Sequence, residues 1–153
     1  MPKVLISDKL SAESVKVFEK YGIEVEVNTD LSEEDLKNII SDFDGLAIRS
    51  NTKVTRELLE KADNLKIIGR AGIGVDNIDL DAATKKGIVI MNTPFGNSIT
   101  TAEHTIALMM ALARNIPNAN FSTHLGKWEK SRFTGTELYS KILGMIGCGN
   151  IGS

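Results

Sequence analysis

The chain carries a single cysteine, Cys148, in 153 residues. That excludes an internal disulfide and points to a reducing compartment. An excess of one charge is also missing: 18 Lys and Arg stand against 20 Asp and Glu, for a formal net charge of −2. Both signs are interspersed, so nothing pulls the chain toward nucleic acid or an anionic membrane. Long apolar runs are absent, and the longest, Ile106 to Ala113, is eight residues. A membrane-spanning helix needs ~20. The N-terminal MPKVLISDKLS holds only a short apolar run. That is too little for a secretory signal, so the cytoplasm is the expected compartment. There is no fixed-period repeat and no low-complexity tract. The two histidines suggest no metal site. His124 lacks a second ligand at metal spacing, and His104 reads as a packed or solvated helical residue. Ser98, Ser122 and Ser140 have no His and Asp pattern to activate them.

The rest is ordinary for a soluble globular protein, with 42% hydrophobic and 25% charged residues. A chain of this length can bury about two-thirds of its unfolded surface. Residues 1–92 alternate strand and helix signals. Strands are expected at 3–7 (KVLIS), 23–27 (IEVEV), 45–49 (GLAIR), 65–69 (LKIIG) and 88–92 (IVIMN). Between them lie helices opened by Ser11, Ser32 and Thr55, and a short one over 79–86 stopped by Gly87. Strands separated by helices of about ten residues indicate βαβ units and a mostly parallel sheet. The expected fold is α/β, a doubly wound parallel sheet of flavodoxin-like type, followed by the first elements of an incomplete Rossmann domain. NTPFGNS (92–98) is the linker candidate, with Asn97 and Ser98 as caps for the next helix. The expected domains are 1–97 and 98–153. A helix is expected over 98–115, apolar on every face in its second half and so requiring burial on every face. A further helix is expected near 117–126, an irregular stretch over 127–140, and a strand over 141–146.

Two clusters can carry chemistry. Arg49 ends the third expected strand and Arg70 follows the fourth. Ligands of open parallel sheets bind outside the carboxyl ends of the strands, so both residues belong at that crevice if the strands are neighbours. Gly72 and Gly74 let the loop turn so that successive N–H groups point at an anion, and Ser50 adds a hydroxyl. Arginine matches carboxylate and phosphate geometry, which suggests a small, multiply anionic ligand. The bland alternative is two surface arginines and a glycine turn made for chain reversal. The second cluster is GCGNIG (147–152), with the glycine spacing of a dinucleotide-binding turn. Neither a helix nor an acidic residue about twenty positions later follows, so this copy is expected to bind dinucleotide poorly. Cys148 in that turn reads as a small residue in a tight space, and Trp128 as a packing anchor.

Five blocks occur in order: RSNTKVT (49–55), GRAGIGVDNIDLDAATKKGIVIMNTPFGNS (69–98), AEH (102–104), GKWEKSRFTGTEL (126–138) and LGMIGCGNIG (143–152). In this the chain resembles the first half of the NAD-dependent D-2-hydroxyacid dehydrogenases, in particular their phosphoglycerate dehydrogenase branch. The resemblance implies a substrate-binding domain (1–97) and the start of an NAD-binding domain (98–153). It implies oxidation of 3-phosphoglycerate to 3-phosphohydroxypyruvate with NAD, the opening step of serine biosynthesis. In the family, subunits dimerise mainly through the nucleotide domain, which makes self-association through 98–116 an expectation. Arg49 and Ser50 match the holders of the substrate phosphate, and Asn97 matches a further substrate contact. Arg70, Gly72, Gly74 and Val75 match the cradle of the substrate carboxylate. Gly147, Gly149, Asn150, Ile151 and Gly152 match the cofactor turn, with Asn150 and Ile151 at the pyrophosphate. Ile73 stands where a cofactor-contacting Thr is frequent. The family's catalytic Arg, Glu and His match no position in this chain, so the 153 residues alone are expected to be inactive. The alternatives are a non-catalytic anion-binding, dimerising module, another D-2-hydroxyacid dehydrogenase, and a corepressor-type relative. The Arg49–Ser50 pair argues against the last.

Overall fold

The computed structural model describes residues 1–153, which divide into two compact units, Met1–Gly96 and Asn97–Ser153. In the first unit the elements run β1 (Lys3–Ile6), α1 (Ala12–Lys20), β2 (Glu24–Val27), α2 (Glu33–Ile39), β3 (Gly45–Ile48), α3 (Arg56–Lys61), β4 (Ile67–Arg70), α4 (Leu80–Lys86) and β5 (Val89–Met91), with a single 3-10 turn at Ile40–Asp42. All neighbouring strands are parallel and the order is β2-β1-β3-β4-β5. That is the flavodoxin-like order of doubly wound sheets. The strands agree with the expected ones to within two residues at each end.

Local chemistry explains the helix starts. Ser11, Thr55 and Asp79 each accept the backbone N–H of a first-turn residue. Ser32 and Asp35 form a reciprocal capping box. Gly87 closes α4 in the left-handed region at φ 72°.

Pairing register sorts the sheet into two faces. Leu5, Leu46 and Ile68 lie in one row, and Val4, Gly45 and Ile67 in the next. The first row belongs to the main core, with Leu36, Ile40, Phe43, Leu58, Leu59 and Ala83 from the α2, α3 and α4 side. The second face is thinner: Val4, Ile6 and Ala47 pack with Leu10, Val15 and Phe18 of the α1 side. Gly45 is small for a reason. A Cβ there would come within 2.9 Å of Val4 Cγ2 and 3.3 Å of Ile67 Cγ2. At the amino ends of the strands, Asp44 accepts from Lys66 Nζ (2.7 Å) and from the Lys3 backbone N–H (2.9 Å).

The second unit holds α5 (Ser98–Ala113), α6 (Ile116–His124) and a short 3-10 turn at Lys130–Phe133. Asn115, at φ 52°, turns the chain between the helices, and Pro117 sits in the first turn of α6. Four expectations are corrected by this unit, the first being Trp128 as a packing anchor, since its side chain is largely exposed. Residues 141–146 form no strand, and Ile142 and Ile146 are fully exposed. A strand requires a ladder partner, and residues 97–153 contain no other strand. Helix α5 is not buried on every face: Ile106, Leu108, Met110 and Leu112 are all exposed. Unit 2 supplies little to cover them, since α6 is its only other α-helix. Asn97 precedes α5 but its side chain makes no cap hydrogen bond.

Phe43→Ala, at a residue only 2% exposed, removes a full aromatic ring from the main core. Denaturant unfolding should register a loss of about 3–5 kcal/mol. The hydrogen bond from Lys66, then that from the Lys3 N–H, holds the Asp44 carboxyl below its ordinary value. Its contribution is present above the unfolded carboxylate range and is lost as pH falls through the lowered value. Asp44→Asn should flatten the acid limb of a pH–stability profile and barely change its shape above neutrality.

Candidate functional site

The site is assembled where β3 and β4 end. Ile48 pairs with Arg70 in the parallel ladder, so the two loops beyond them leave the sheet side by side. They are stitched together further out. Val54 N–H donates to Asn77 C=O (2.8 Å), Asp79 N–H donates to Val54 C=O (2.9 Å), and Val54 and Ile78 form a parallel bridge. A polar groove runs between them, lined by Ser50, Lys53, Arg56, Asp76, Asn77 and Asp79 among others. Arg56 and Asp79 face each other across it at 3.7 Å.

The two arginines occupy different roles. The Arg70 side chain is only 10% exposed. Its Nη1 donates to the Gly74 carbonyl and lies 3.4 Å from Asp76 Oδ1, and its Nε donates to Arg49 C=O at 3.3 Å. Arg70 thus spends its guanidinium on the loop that comes after it and on the backbone at the end of β3. Arg49 is exposed and its guanidinium has no acceptor in the chain. Ser50 beside it is equally open.

The loop from Ala71 to Asn77 is braced on both flanks. Ala71 N–H donates to Ile48 C=O, Thr93 N–H to Gly72 C=O, and Asn92 Nδ2 to Ile73 C=O. Val75 is half-buried against the main core. The N–H groups from Ile73 through Asn77 have no acceptor in the chain, a run of five donors that opens with Ile73, Gly74 and Val75 and could face an anion. Neither Gly72 nor Gly74 has a left-handed φ. Glycine at 74 answers a close approach: a Cβ would fall 2.9 Å from Arg70 Nη1 and 2.8 Å from Asp76 Oδ1. At Gly72 a Cβ would meet Arg70 at no less than 3.7 Å, an ordinary contact.

Three supporting residues carry no signal in the sequence. Asp8 is buried and accepts from the Arg49 and Thr52 N–H groups. Ser7 shares a hydroxyl contact with Thr52 at 2.9 Å. Asn77 donates to the carbonyls of Arg49 and Thr52. Each acts across 25 or more residues of sequence, so no local pattern marks them.

In the second unit, Gly147 takes φ 91°, and residues 149–152 form turns with a hydrogen bond from Ser153 N–H to Gly149 C=O (3.0 Å). Asn150 and Ile151 are exposed. Gly152 packs so closely over the Gly147 carbonyl that a Cβ has no room. Asn97 is exposed at the start of α5. Among His, Cys, Asp and Glu there is no group able to hold a metal ion. No helix is long and apolar enough to cross a membrane.

An open parallel sheet with an exposed arginine and a run of free amides at its carboxyl edge is a doubly wound α/β domain, a class whose ligands in general bind at that edge. The comparison with known proteins narrows this. Residues 4–146 match the model for the D-isomer specific 2-hydroxyacid dehydrogenase catalytic domain, and the chain belongs to that family. It is 54% identical over 152 residues to the D-3-phosphoglycerate dehydrogenase of Methanocaldococcus jannaschii, covering 99% of this chain and 29% of that protein. With the enzyme of the same name from Archaeoglobus fulgidus the identity is 51%, covering 98% and 28%. The chain therefore spans less than a third of the length of these relatives. Among solved structures it is similar to an NAD+-bound 3-phosphoglycerate dehydrogenase of Entamoeba histolytica, with TM-score 0.76 and 34% identity over 99% of this chain and 48% of the other.

The two loop glycines should separate in a mutational test. Gly74→Ala forces Arg70 or Asp76 aside and should destabilise by about 1–3 kcal/mol. Gly72→Ala meets only ordinary contacts and should be neutral, or stabilise by up to about 1 kcal/mol through the unfolded chain. Paired thermal melts of the two variants check the ordering.

Proposed function

We propose that residues 1–97 bind 3-phosphoglycerate, as part of a whole protein that oxidises it with NAD to 3-phosphohydroxypyruvate. The observation that carries this reading is the open Arg49–Ser50 pair standing beside a loop whose N–H groups at Ile73, Gly74 and Val75 are unused. A substrate with a phosphate at one end and a carboxylate at the other matches that pair of anion sites. The names of the relatives at 54% and 51% identity support the same choice. Arg49 and Ser50 take the phosphate, the guanidinium through charge-assisted hydrogen bonds. The backbone N–H groups of Ile73, Gly74 and Val75 take the carboxylate, with Gly72, whose own N–H is spent on the Arg70 carbonyl, leading the chain into them and the Arg70 guanidinium fixing that loop from within. Asn97 adds a further polar contact.

Residues 98–153 begin the NAD-binding domain in this reading, with Gly147, Gly149, Asn150, Ile151 and Gly152 as the cofactor turn and Ile73 as a neighbouring contact. NAD, when bound, supplies the hydride acceptor. Gly147 turns at φ 91°, and the Ser153 N–H closes the turn on the Gly149 carbonyl at 3.0 Å. No chemical step is assigned through NAD. His104 and His124 match no acid–base position of the family, and His124 Nδ1 lies 2.9 Å from Asn120 C=O of its own helix. The chain is therefore a binding piece that does not turn over by itself. The exposed apolar side chains of α5 support self-association through 98–116, since a patch of that kind favours contact with another surface.

Titration calorimetry of the 153-residue chain with 3-phosphoglycerate tests the site. Arg49→Ala should weaken binding about 10- to 100-fold, the worth of one or two charge-assisted hydrogen bonds. Unchanged affinity would remove Arg49 from the site. In the same preparation, 3-phosphoglycerate and NAD should give no NADH, and clear turnover would overturn the inactivity. Sedimentation should show mass rising with concentration, and a monomer at high concentration counts against association through α5.

A further inference from the structure

The turn that carries Arg49 and Ser50 is tied down at its two ends, on N–H and C=O alike. The Arg49 N–H donates to Asp8 Oδ2 at 2.6 Å, and the Thr52 N–H donates to the same oxygen at 3.2 Å. The Arg49 carbonyl receives Asn77 Nδ2 at 2.8 Å and Arg70 Nε at 3.3 Å. The Thr52 carbonyl receives the second proton of Asn77 Nδ2 at 2.7 Å. The Thr52 hydroxyl meets Ser7 Oγ at 2.9 Å. The outward part of the turn is untouched: the side chains of Arg49 and Ser50 make no hydrogen bond or ion pair in the chain.

Asp8 is only 4% exposed and has no cationic partner within ion-pair distance. Burying a carboxylate without a counter-ion is unfavourable unless strong donors compensate. Here both compensating donors belong to one four-residue turn. Asn77 shows the complementary bias: both amide protons go to that turn, while its Oδ1 is buried with no partner. An acceptor on one side and a double donor on the other hold the backbone of the turn from two directions.

We propose that Asp8 and Asn77 are positioning residues for phosphate binding, holding the Arg49–Thr52 turn in its binding conformation without touching the ligand. This rests on the reading of Arg49 and Ser50 as the phosphate holders. Binding to a site whose competent state is only partly populated weakens in proportion to that population. Loss of either tie therefore appears as lower affinity with Arg49 and Ser50 still in place.

The test joins amide hydrogen exchange with titration calorimetry, using the 153-residue chain and 3-phosphoglycerate as the probe. Asp8→Ala should speed exchange of the Arg49 and Thr52 amides selectively and weaken binding about 10-fold, as expected if one chain in ten holds the competent turn. Asp8→Asn keeps a carbonyl oxygen as acceptor and should stay within about threefold of wild type. Asn77→Asp keeps the shape but replaces the double donor with acceptors facing two carbonyls, and should weaken binding at least as much as Asp8→Ala. If Asp8→Ala does not fold, the contrast between Asp8→Asn and Asn77→Asp, both checked by thermal melting, decides alone. Folded Asp8→Ala and Asn77→Asp variants that bind like wild type would overturn the proposal. So would an Asp8→Asn variant as weak as Asp8→Ala, because the role would then be the charge and not the hydrogen bonds. Wild type that fails to bind refutes the phosphate reading instead. The exchange rates then judge the tie by themselves, and an Arg49 amide no faster in Asp8→Ala refutes it whatever the ligand.

Discussion

One step of the β-ladder, Ile48 opposite Arg70, places everything else at the site. In a parallel sheet neighbouring strands run in the same direction, so adjacent strands in register deliver their C-terminal loops to one edge at one height. The loop after β3 then meets the loop after β4, and the Val54–Ile78 bridge and the Asn77 side chain join them. β1 ends on the other side of β3, which brings Asp8 under the same turn. A slip of one residue between β3 and β4 would turn Arg70 to the α1 face and pull the loops out of reach, because side chains alternate across a strand. The main core guards against that slip. Leu46, Ile48 and Ile68 are almost wholly buried on the α2–α4 face, and the other face accepts only Gly45 and Ala47 in the same strand.

The range of each interaction decides how far it is legible in the sequence. The parallel sheet is legible because period, caps and glycine stops are local signals. Ser32, Thr55 and Gly87 all act where their neighbours in sequence predict. Strand-end placement of Arg49 and Arg70 is legible for the same reason. Asp8 is not, since in SDKLS it looks like any charged residue entering a loop, and its partners lie 41 and 44 residues away. The stretch 141–146 shows the same limit from the other side. Its short apolar run is a strand signal, yet a strand exists only through a neighbour, and residues 97–153 offer none. Helix α5 forms where expected because its hydrogen bonds are its own, while the burial its composition demands depends on other elements.

The division of labour between the two arginines cannot be read from spacing either. Both lie at strand ends with glycine or serine nearby. What separates them is a difference of neighbours: Arg70 finds the Gly74 carbonyl, Asp76 and the Arg49 carbonyl within reach, and Arg49 finds no acceptor at all. A guanidinium has five donors in a rigid fork, so one held by several acceptors is a structural brace, and one without any keeps its donors free. The brace also bears on the free one. By closing on Gly74, Arg70 shapes the loop whose N–H groups at Ile73, Gly74 and Val75 remain free. By donating to the Arg49 carbonyl it steadies the backbone that carries the open guanidinium. Replacing Arg70 by lysine would keep the charge but reduce the fork to a single ammonium, unable to span both loops in this planar geometry. The identity of the buried arginine therefore matters to the geometry of this edge as much as that of the exposed one, although only Arg49 has its donors free.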